Sequence, residues 1–152
     1  MKVHKLNYET LIETNIEKCW DFFSNPNNLQ KITPPEMKLK PIEEIKSKTY
    51  EGQIVTYKVY IFGFIPFTWV TEISSLENKK YFVDEQRFGP YKFWHHMHEF
   101  IEAENGVKMI DTINYILPFG ILGNLVNKLL VSNQLKEIFS FREKKLKEIN
   151  WS

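Results

Sequence analysis

Apolar and polar residues alternate in seven segments of the chain, with the period of two that is typical of half-buried β-strands. The predicted strands are residues 3–13, 37–45, 53–62, 67–75, 81–88, 92–103 and 107–117. The last six follow one another without an intervening helix, and turn residues such as Gly89-Pro90 separate them. This order predicts an antiparallel meander. Pro41 places the second strand, the weakest of the seven, at an edge or a bulge.

Helical periodicity predicts two short helices and one long one. Apolar residues at helical spacing over 16–23 predict a helix after the first strand, which Thr14 or Asn15 can cap. Residues 29–32 predict a second, shorter helical turn. Residues 122–149 predict a single amphipathic helix that spans about 40 Å, enough to cross a whole sheet. A twisted antiparallel sheet wrapped around such a helix leaves a cavity between the two.

The turn Asn105-Gly106 predicts a register for the last two strands. If these residues are the centre of a type I′ turn, Glu104 lies opposite Val107. The register then pairs Phe100 with Asp111, His98 with Ile113, His96 with Tyr115, and Trp94 with Leu117. Side chains alternate along a strand, so these eight residues share one face of the sheet. We predict that this face points inward.

Three polar side chains on this inner face, His96, His98 and Asp111, define the candidate site. A polar group on an apolar inner face must be paired or hydrated, or it costs a few kcal/mol. Asp111 lies diagonal to His98 in the predicted register, and a three-residue loop at 89–91 would place Asp84 opposite His96. The face is therefore either a satisfied core network or the wall of a cavity.

Three kinds of chemistry fit this constellation. Two histidines and two carboxylates can bind a divalent metal. They can also form an acid–base pair, in which His96 or His98 acts as the base and Asp111 orients the imidazole. The alternative is that the Asp and His side chains satisfy one another and line a pocket without reacting. We expect the last of these, with neither a metal nor a cofactor.

Composition and charge exclude several other classes of function. The chain has 152 residues, of which 43% are hydrophobic and 15% aromatic, so it predicts one domain, residues 1–152, with a thick core or an aromatic-lined cavity. A net charge of +1 gives no support for nucleic-acid binding. The longest apolar runs are too short to insert stably in a membrane. The lone Cys19 and the absence of a signal peptide at the N-terminus predict a cytoplasmic location.

Further candidates lie on the other predicted elements. Arg142 is close to the apolar stripe of the long helix, where it can pair with Asp84 or Asp111, hold a ligand carboxylate, or extend into solvent. The apolar hairpin 61–67 predicts a membrane-touching lip, a ligand entrance or an interface with another protein. Cys19 is interpreted as a small buried hydrophobe.

Several motifs together resemble a bacterial branch of the START-like (SRPBCC) superfamily, which has the helix-grip fold and includes polyketide cyclase/dehydrase and lipid-transport families. The motifs are Phe82-x-Asp84-x-Gln86-x-x-Gly89-Pro90-Tyr91, Trp94-x-His96-x-His98-x-Phe100, Asp111-x-x-x-Tyr115-x-x-Pro118-x-Gly120, Trp69-x-x-x-Ile73, Phe139-x-x-Arg142, and Pro26-x-x-Leu29 followed by Pro34-Pro35. The resemblance covers nearly the whole chain. It implies an internal pocket for an apolar or amphipathic small molecule.

The sequence and this resemblance define one set of candidate residues. The candidate ligand-binding residues are Tyr57, Trp69, Asp84, Gln86, Trp94, His96, His98, Phe100, Asp111, Tyr115, Phe139 and Arg142. The predicted fold is α+β of the helix-grip type: a seven-stranded antiparallel sheet wraps around a long C-terminal helix, and two short helices follow strand 1.

Three functions remain open for such a domain. The first is binding of a hydrophobic or amphipathic molecule, such as a lipid, a polyketide-like compound or an aromatic metabolite, in the cavity. The second is a cofactor-free enzyme of the cyclase or dehydratase type, in which His96, His98 and Asp111 are catalytic. The third is a protein-interaction module that uses the hairpin 61–67, and a homodimer is one such assembly.

Overall fold

The computed structural model describes residues 2–46, 48–118 and 130–152, and shows one antiparallel sheet of seven strands. The strands are β1 (His4–Ile12), β2 (Lys40–Pro41), β3 (Ile54–Ile61), β4 (Ile65–Glu77), β5 (Tyr81–Phe88), β6 (Phe93–Ala103) and β7 (Gly106–Ile116). Their order across the sheet is β1-β7-β6-β5-β4-β3-β2. The six sequential strands therefore form the predicted meander, and β1 closes it by pairing with β7.

The helices follow the predicted order. Helix α1 (Ile16–Phe23) begins where the side chain of Asn15 accepts a hydrogen bond from the backbone N–H of Lys18. Two 3-10 helices follow, Pro26–Ile32 and Pro35–Met37. The C-terminal helix α2 (Ser132–Glu148) buries Leu135, Phe139, Arg142 and Leu146. The start of the predicted helix 122–149 lies outside the described residues.

The bounds of β2 and β4 differ most from the prediction, and those of the other strands by at most one residue at each end. Strand β2 is only Lys40–Pro41, not 37–45. Met37 belongs to a 3-10 helix, and Pro41, which has no backbone N–H to donate, lies in the edge strand of the sheet. Strand β4 begins at Ile65, before the predicted start. Pro66 is tolerated there because pairing of β4 with β5 starts only at Val70, which leaves Pro66 paired on one side alone.

The predicted register of β6 and β7 is wrong by two residues. Ala103 pairs with Gly106, so Glu104 and Asn105 form the turn. The observed pairs on the inner face are Trp94–Tyr115, His96–Ile113, His98–Asp111 and Phe100–Met109. Gly106, at φ 143°, serves a close approach instead: a Cβ there would lie 2.2 Å from the carbonyl oxygen of Ile12 in β1. A shift of two residues keeps every side chain on its predicted face.

The inner face of the sheet carries two apolar clusters with charged residues between them. We call the first cluster the dry core; it includes Trp20, Phe82, Phe100, Met109 and Leu146. The second cluster includes Trp94, Ile113, Tyr115, Leu135 and Phe139. His96 and His98 lie between Trp94 and Phe100 on β6 and are buried, as predicted. Among the described residues, no helix is long and apolar enough to cross a membrane.

Candidate functional site

A cavity of about 190 Å³ lies between the sheet, the 3-10 helix Pro26–Ile32 and helix α2. Its wall is mostly apolar and aromatic. The apolar part of the lining includes Phe22, Phe23, Leu29, Ile32, Val55, Val59, Ile61, Trp69, Tyr91, Trp94, Leu135 and Phe139. The charged or titratable side chains on the wall include Asp84, His96, His98 and Arg142, which lie together on one side.

Two histidines and two aspartates form a closed network at that side. Asp111 Oδ1 lies 2.7 Å from His96 Nε2 and 2.9 Å from His98 Nδ1. Asp84 Oδ2 lies 2.8 Å from His98 Nε2 and 3.4 Å from His96 Nδ1. The two imidazole rings lie with their centroids 3.7 Å apart and their planes tilted by 36°. Each ring thus bridges the same pair of carboxylates, and the predicted pairing of Asp84 with His96 is confirmed.

The environments of the two histidines shift their pKa values in opposite directions. Both ring nitrogens of His98 lie within 2.9 Å of a carboxylate oxygen, which is the environment of an imidazolium. The contact of Nδ1 with Asp111 does not have the angles of a hydrogen bond. Burial opposes this charge, but hydrogen bonds and charge from Asp111 and Asp84 outweigh burial and raise the pKa of His98. Burial and the charge of His98 lower the pKa of His96. A proton shared by the pair therefore resides on His98 rather than on His96.

Both carboxylates are ionised within this network. Burial alone would raise the pKa of Asp84 and of Asp111, but the hydrogen bonds and charges of His96 and His98 hold both below the usual range. Trp94 also donates from Nε1 to Asp84 Oδ1 at 3.3 Å. Asp111 is only 1% exposed and contacts the histidines without lining the cavity. The side chain of Asp84 is 20% exposed and borders the cavity.

Arg142 completes the charged cluster from helix α2. It is buried, with its Nη1 atom 3.8 Å from Asp111 Oδ1 and its guanidinium carbon 4.7 Å from the centroid of the Phe139 ring. Burial lowers the pKa of Arg142 and the nearby carboxylates oppose that shift. Its Nε atom is buried without a hydrogen-bond partner among the described residues. We call Asp84, His96, His98, Asp111 and Arg142 the charged cluster.

The cluster includes one set of residues that could hold a metal. Asp84, His96 and His98 each place a ligand atom within 4.8 Å of the others. A metal would have to displace the 2.8 Å hydrogen bond between His98 and Asp84. The donor set suits a divalent ion such as zinc, but the direct pairing already satisfies the same atoms.

Most of the candidate residues line the cavity, and four do not. The lining candidates are Tyr57, Trp69, Asp84, Trp94, His96, His98, Phe139 and Arg142. Gln86 instead closes the β5–β6 turn, because its side chain donates to the carbonyl of Tyr91 at 2.7 Å and accepts from the N–H of Tyr91 at 3.2 Å. Phe100 packs in the dry core and Tyr115 in the second cluster. Asp111 acts through the two histidines that it contacts.

The sequence-based prediction missed one aromatic residue of the cavity wall, Tyr91, and one that packs behind the wall, Tyr8. Tyr91 lines the cavity and packs against Trp94, with ring centroids 4.8 Å apart. Tyr8 of β1 stacks on Phe139 at 4.0 Å and its hydroxyl is buried without a partner among the described residues. The signal for Tyr91 was its place beside the Gly89-Pro90 turn. The position of Tyr8 depends on the pairing of β1 with β7, which no local pattern shows.

Two other candidate features lie away from the cluster. The hairpin 61–67 turns at residues 62–64 and exposes Phe64 to 71% and Phe62 and Ile65 to 37% each. Cys19 is fully buried in α1, and burial raises the pKa of its thiol to about 12. Its interpretation as a small buried hydrophobe is confirmed, whereas the hairpin presents an apolar tip to solvent.

Comparison with solved structures identifies the fold. A START superfamily protein from Mycobacterium smegmatis matches with a TM-score of 0.70 at 11% identity, over 97% of this chain and 99% of that chain. The Zhui aromatase/cyclase from Streptomyces sp. R1128 matches with a TM-score of 0.69 at 11% identity, over 98% of this chain and 97% of that one. A nucleoside-diphosphate sugar epimerase from Corynebacterium glutamicum matches at 21% identity and a TM-score of 0.66, over 94% of this chain but 28% of the epimerase.

Sequence comparisons add no closer relative. No family model matches the chain, and no curated protein matches it. The structural likeness shows that the chain has the START-like helix-grip fold, as the sequence motifs predicted.

Proposed function

We propose that this START-like domain binds a hydrophobic or amphipathic small molecule in the cavity between its sheet and helix α2. The observation that carries the proposal is an apolar, aromatic cavity with a compact charged cluster on one wall. Such a combination suits a ligand whose body gains affinity from apolar burial and whose polar end is oriented by a few convergent groups. The Zhui aromatase/cyclase shares the fold, which agrees with a ligand of this kind.

Native mass spectrometry of the protein purified from its own host tests this proposal. We expect a bound small molecule at one copy per chain, which denaturing extraction would release for identification. Trp94→Ala and His98→Ala should lose it, since both side chains line the cavity. His95→Ala is the matched control, because His95 alternates with them on the other face of β6. A ligand-free mass, together with no thermal shift across a panel of lipids and aromatic metabolites, would contradict the proposal.

An enzyme of the dehydratase or cyclase type is the second candidate, and one observation favours it. The environments of His96 and His98 shift their pKa values in opposite directions, which places a neutral base and a charged acid side by side on the cavity wall. A neutral His96 that carries its proton on Nε2 would donate it to Asp111 and leave Nδ1 to take a proton from a carbon next to a carbonyl. His98 would give its proton to the departing hydroxyl, which leaves as water.

A pH–rate profile separates this enzyme from a binder. Elimination of water from a β-hydroxy ketone forms a conjugated enone, which absorbs in the ultraviolet. A bell-shaped rate profile that loses its acidic limb in His96→Ala would support catalysis. A rate equal to the uncatalysed reaction at every pH, with the compound bound, would leave binding as the function.

A further inference from the structure

The guanidinium of Arg142 offers an unused donor to the cavity. Arg142 is 8% exposed and lines the cavity, and its Nε–H has no acceptor among the described residues. The Asp111 carboxylate is 3.8 Å from Nη1, which is beyond hydrogen-bond distance. A buried donor without a partner costs about 1–3 kcal/mol. A ligand acceptor would remove that cost, so the empty donor indicates where a polar atom of the ligand lies.

Asp84 offers the complementary acceptor on the same wall. Its Oδ1 accepts from Trp94 and its Oδ2 from His98, and a carboxylate has room for further donors. The side chain borders the cavity and is 20% exposed. A hydroxyl group of a ligand can therefore donate to Asp84 without displacing either existing bond.

The charges of the cluster are already balanced. Asp84 and Asp111 are ionised, and two cations face them: Arg142, and His98 with carboxylate oxygens close to both of its ring nitrogens. His96 makes only one short contact, at Nε2 with Asp111, and is the neutral ring. With His98 protonated, the buried cluster has no net charge, and with His98 neutral the cluster is negative. A carboxylate-bearing ligand would add an unbalanced negative charge to a buried site, which is costly.

We propose that the ligand has an uncharged head in which a carbonyl oxygen accepts from Arg142 Nε–H and a nearby hydroxyl donates to Asp84. This inference rests on the proposed binding function and narrows it. It assigns the cavity to hydroxy ketones and related neutral polar heads on an apolar body, and not to fatty acids or other free carboxylic acids.

A matched pair of ligands tests the inference. One is a β-hydroxy methyl ketone with a 2-naphthyl substituent, and the other is the β-hydroxy carboxylic acid with the same substituent. The ketone carries a methyl group where the acid carries an ionised oxygen, and the two compounds are otherwise identical. We expect the ketone to bind the wild-type protein about tenfold or more tightly than the acid, a difference of about 1.4 kcal/mol, in calorimetric titrations at neutral pH.

Charge variants show whether the cluster causes the selectivity. Asp84→Asn removes one negative charge, so the acid should gain about tenfold in affinity relative to the ketone. Glu85→Gln is the matched control, since Glu85 is the next carboxylate along β5, pairs with Arg87 and does not line the cavity. It should leave the ratio of the two affinities unchanged.

The possible outcomes distinguish a failure of this inference from a failure of the proposed binding function. Tighter binding of the acid to the wild-type protein would overturn the uncharged head and leave the binding function standing. Equal affinities that do not respond to Asp84→Asn would do the same. Binding of neither compound, while other apolar compounds bind, would also overturn the inference. If no compound binds at all, the proposed function itself fails. The wild-type comparison decides even if Asp84→Asn does not fold.

Discussion

The dry core and the charged cluster are two halves of one inner sheet face, built from the same strands and the same helix. Strand β6 contributes Phe100 to the dry core and His98, two residues earlier, to the charged cluster. Helix α2 does the same with Leu146 and Arg142, which lie one turn apart. The alternation of side chains is identical in both halves. Only the chemistry of the inward residues differs.

The difference shows which half serves stability. Each side chain of the dry core contributes by burial alone and needs no specific partner. The charged cluster must desolvate four ionised groups, and a buried network of this kind is often no more stable than an apolar core of the same volume. Its presence beside a cavity is therefore better explained by ligand binding than by folding. Sites that depart from the simplest packing are where function is expected.

The largest effect should come from Asp111→Ala. Removal of this carboxylate leaves the cations of His98 and Arg142 buried with only Asp84 to balance them. Breaking a buried pair in this way costs about 3–5 kcal/mol. Urea unfolding followed by tryptophan fluorescence measures the change. Thr112→Ala, on the other face of β7, is the control. A loss below about 1 kcal/mol would mean that Asp111 does not compensate the buried cations.

Leu146→Ala makes the same comparison in the dry core. Leu146 is 2% exposed, and truncation of a buried leucine costs about 3 kcal/mol through lost burial and a cavity. Because Leu146 does not line the cavity, ligand affinity measured below the unfolding transition should stay unchanged. Asp111→Ala should lower both stability and affinity. Equal losses of affinity in the two variants would show that the two halves are not separable.

The faces of the sheet were predictable because they depend on alternation alone. A register error of two residues left Trp94, His96 and His98 on the inner face, since the side-chain period is two. The pairing of Asp84 with His96 was predicted from a three-residue loop at 89–91; the register is correct, although four residues, 89–92, separate the two strands. Both inferences use local pattern and turn geometry, which a sequence contains.

The details of the site were less predictable because they depend on contacts between distant segments. The sequence left Arg142 free to pair with Asp84 or Asp111, to hold a ligand or to extend into solvent, and only the packing of α2 places it, buried, 3.8 Å from Asp111. The turn shifted because β1 approaches Gly106, a contact across more than ninety residues of chain. Gln86 satisfies the backbone of Tyr91 instead of a ligand. For Arg142 and Gly106 the contact lies between distant segments, whereas the contact of Gln86 with Tyr91 lies within one turn.

The pH dependence of stability should also separate the two histidines. The folded-state pKa of His96 is lowered, so stability falls as pH drops below about 6.5, where the unfolded ring takes up a proton first. The folded-state pKa of His98 is raised, so the stability it contributes is full below about 6.5 and is lost as pH rises through the folded pKa. Each slope is at most about 1.4 kcal/mol per pH unit.

Single substitutions show which histidine causes the acidic limb and which causes the alkaline limb of the curve of stability against pH. The wild-type free energy of unfolding should peak near the pKa of an unfolded histidine, at about pH 6.5. His96→Gln should flatten the acidic limb, and His98→Gln the alkaline limb. His95→Gln, on the outer face, should change neither. A curve in which His96→Gln flattens the alkaline limb would reverse the assignment of the charged ring.

The smallest effect on stability should come from Phe64→Asp at the tip of the hairpin 61–67. Phe64 is 71% exposed and belongs to neither the dry core nor the charged cluster, so the free energy of unfolding should change by less than about 0.5 kcal/mol.

The neighbours of Phe64 in the hairpin, Phe62 and Ile65, are also exposed, and an apolar patch of this kind suits contact with a second copy of the chain. We expect sedimentation velocity to show concentration-dependent self-association that Phe64→Asp abolishes. Phe88→Asp, at an exposed phenylalanine of β5, should retain it. If both variants and the wild type sediment as monomers at all concentrations, the hairpin does not hold two copies together.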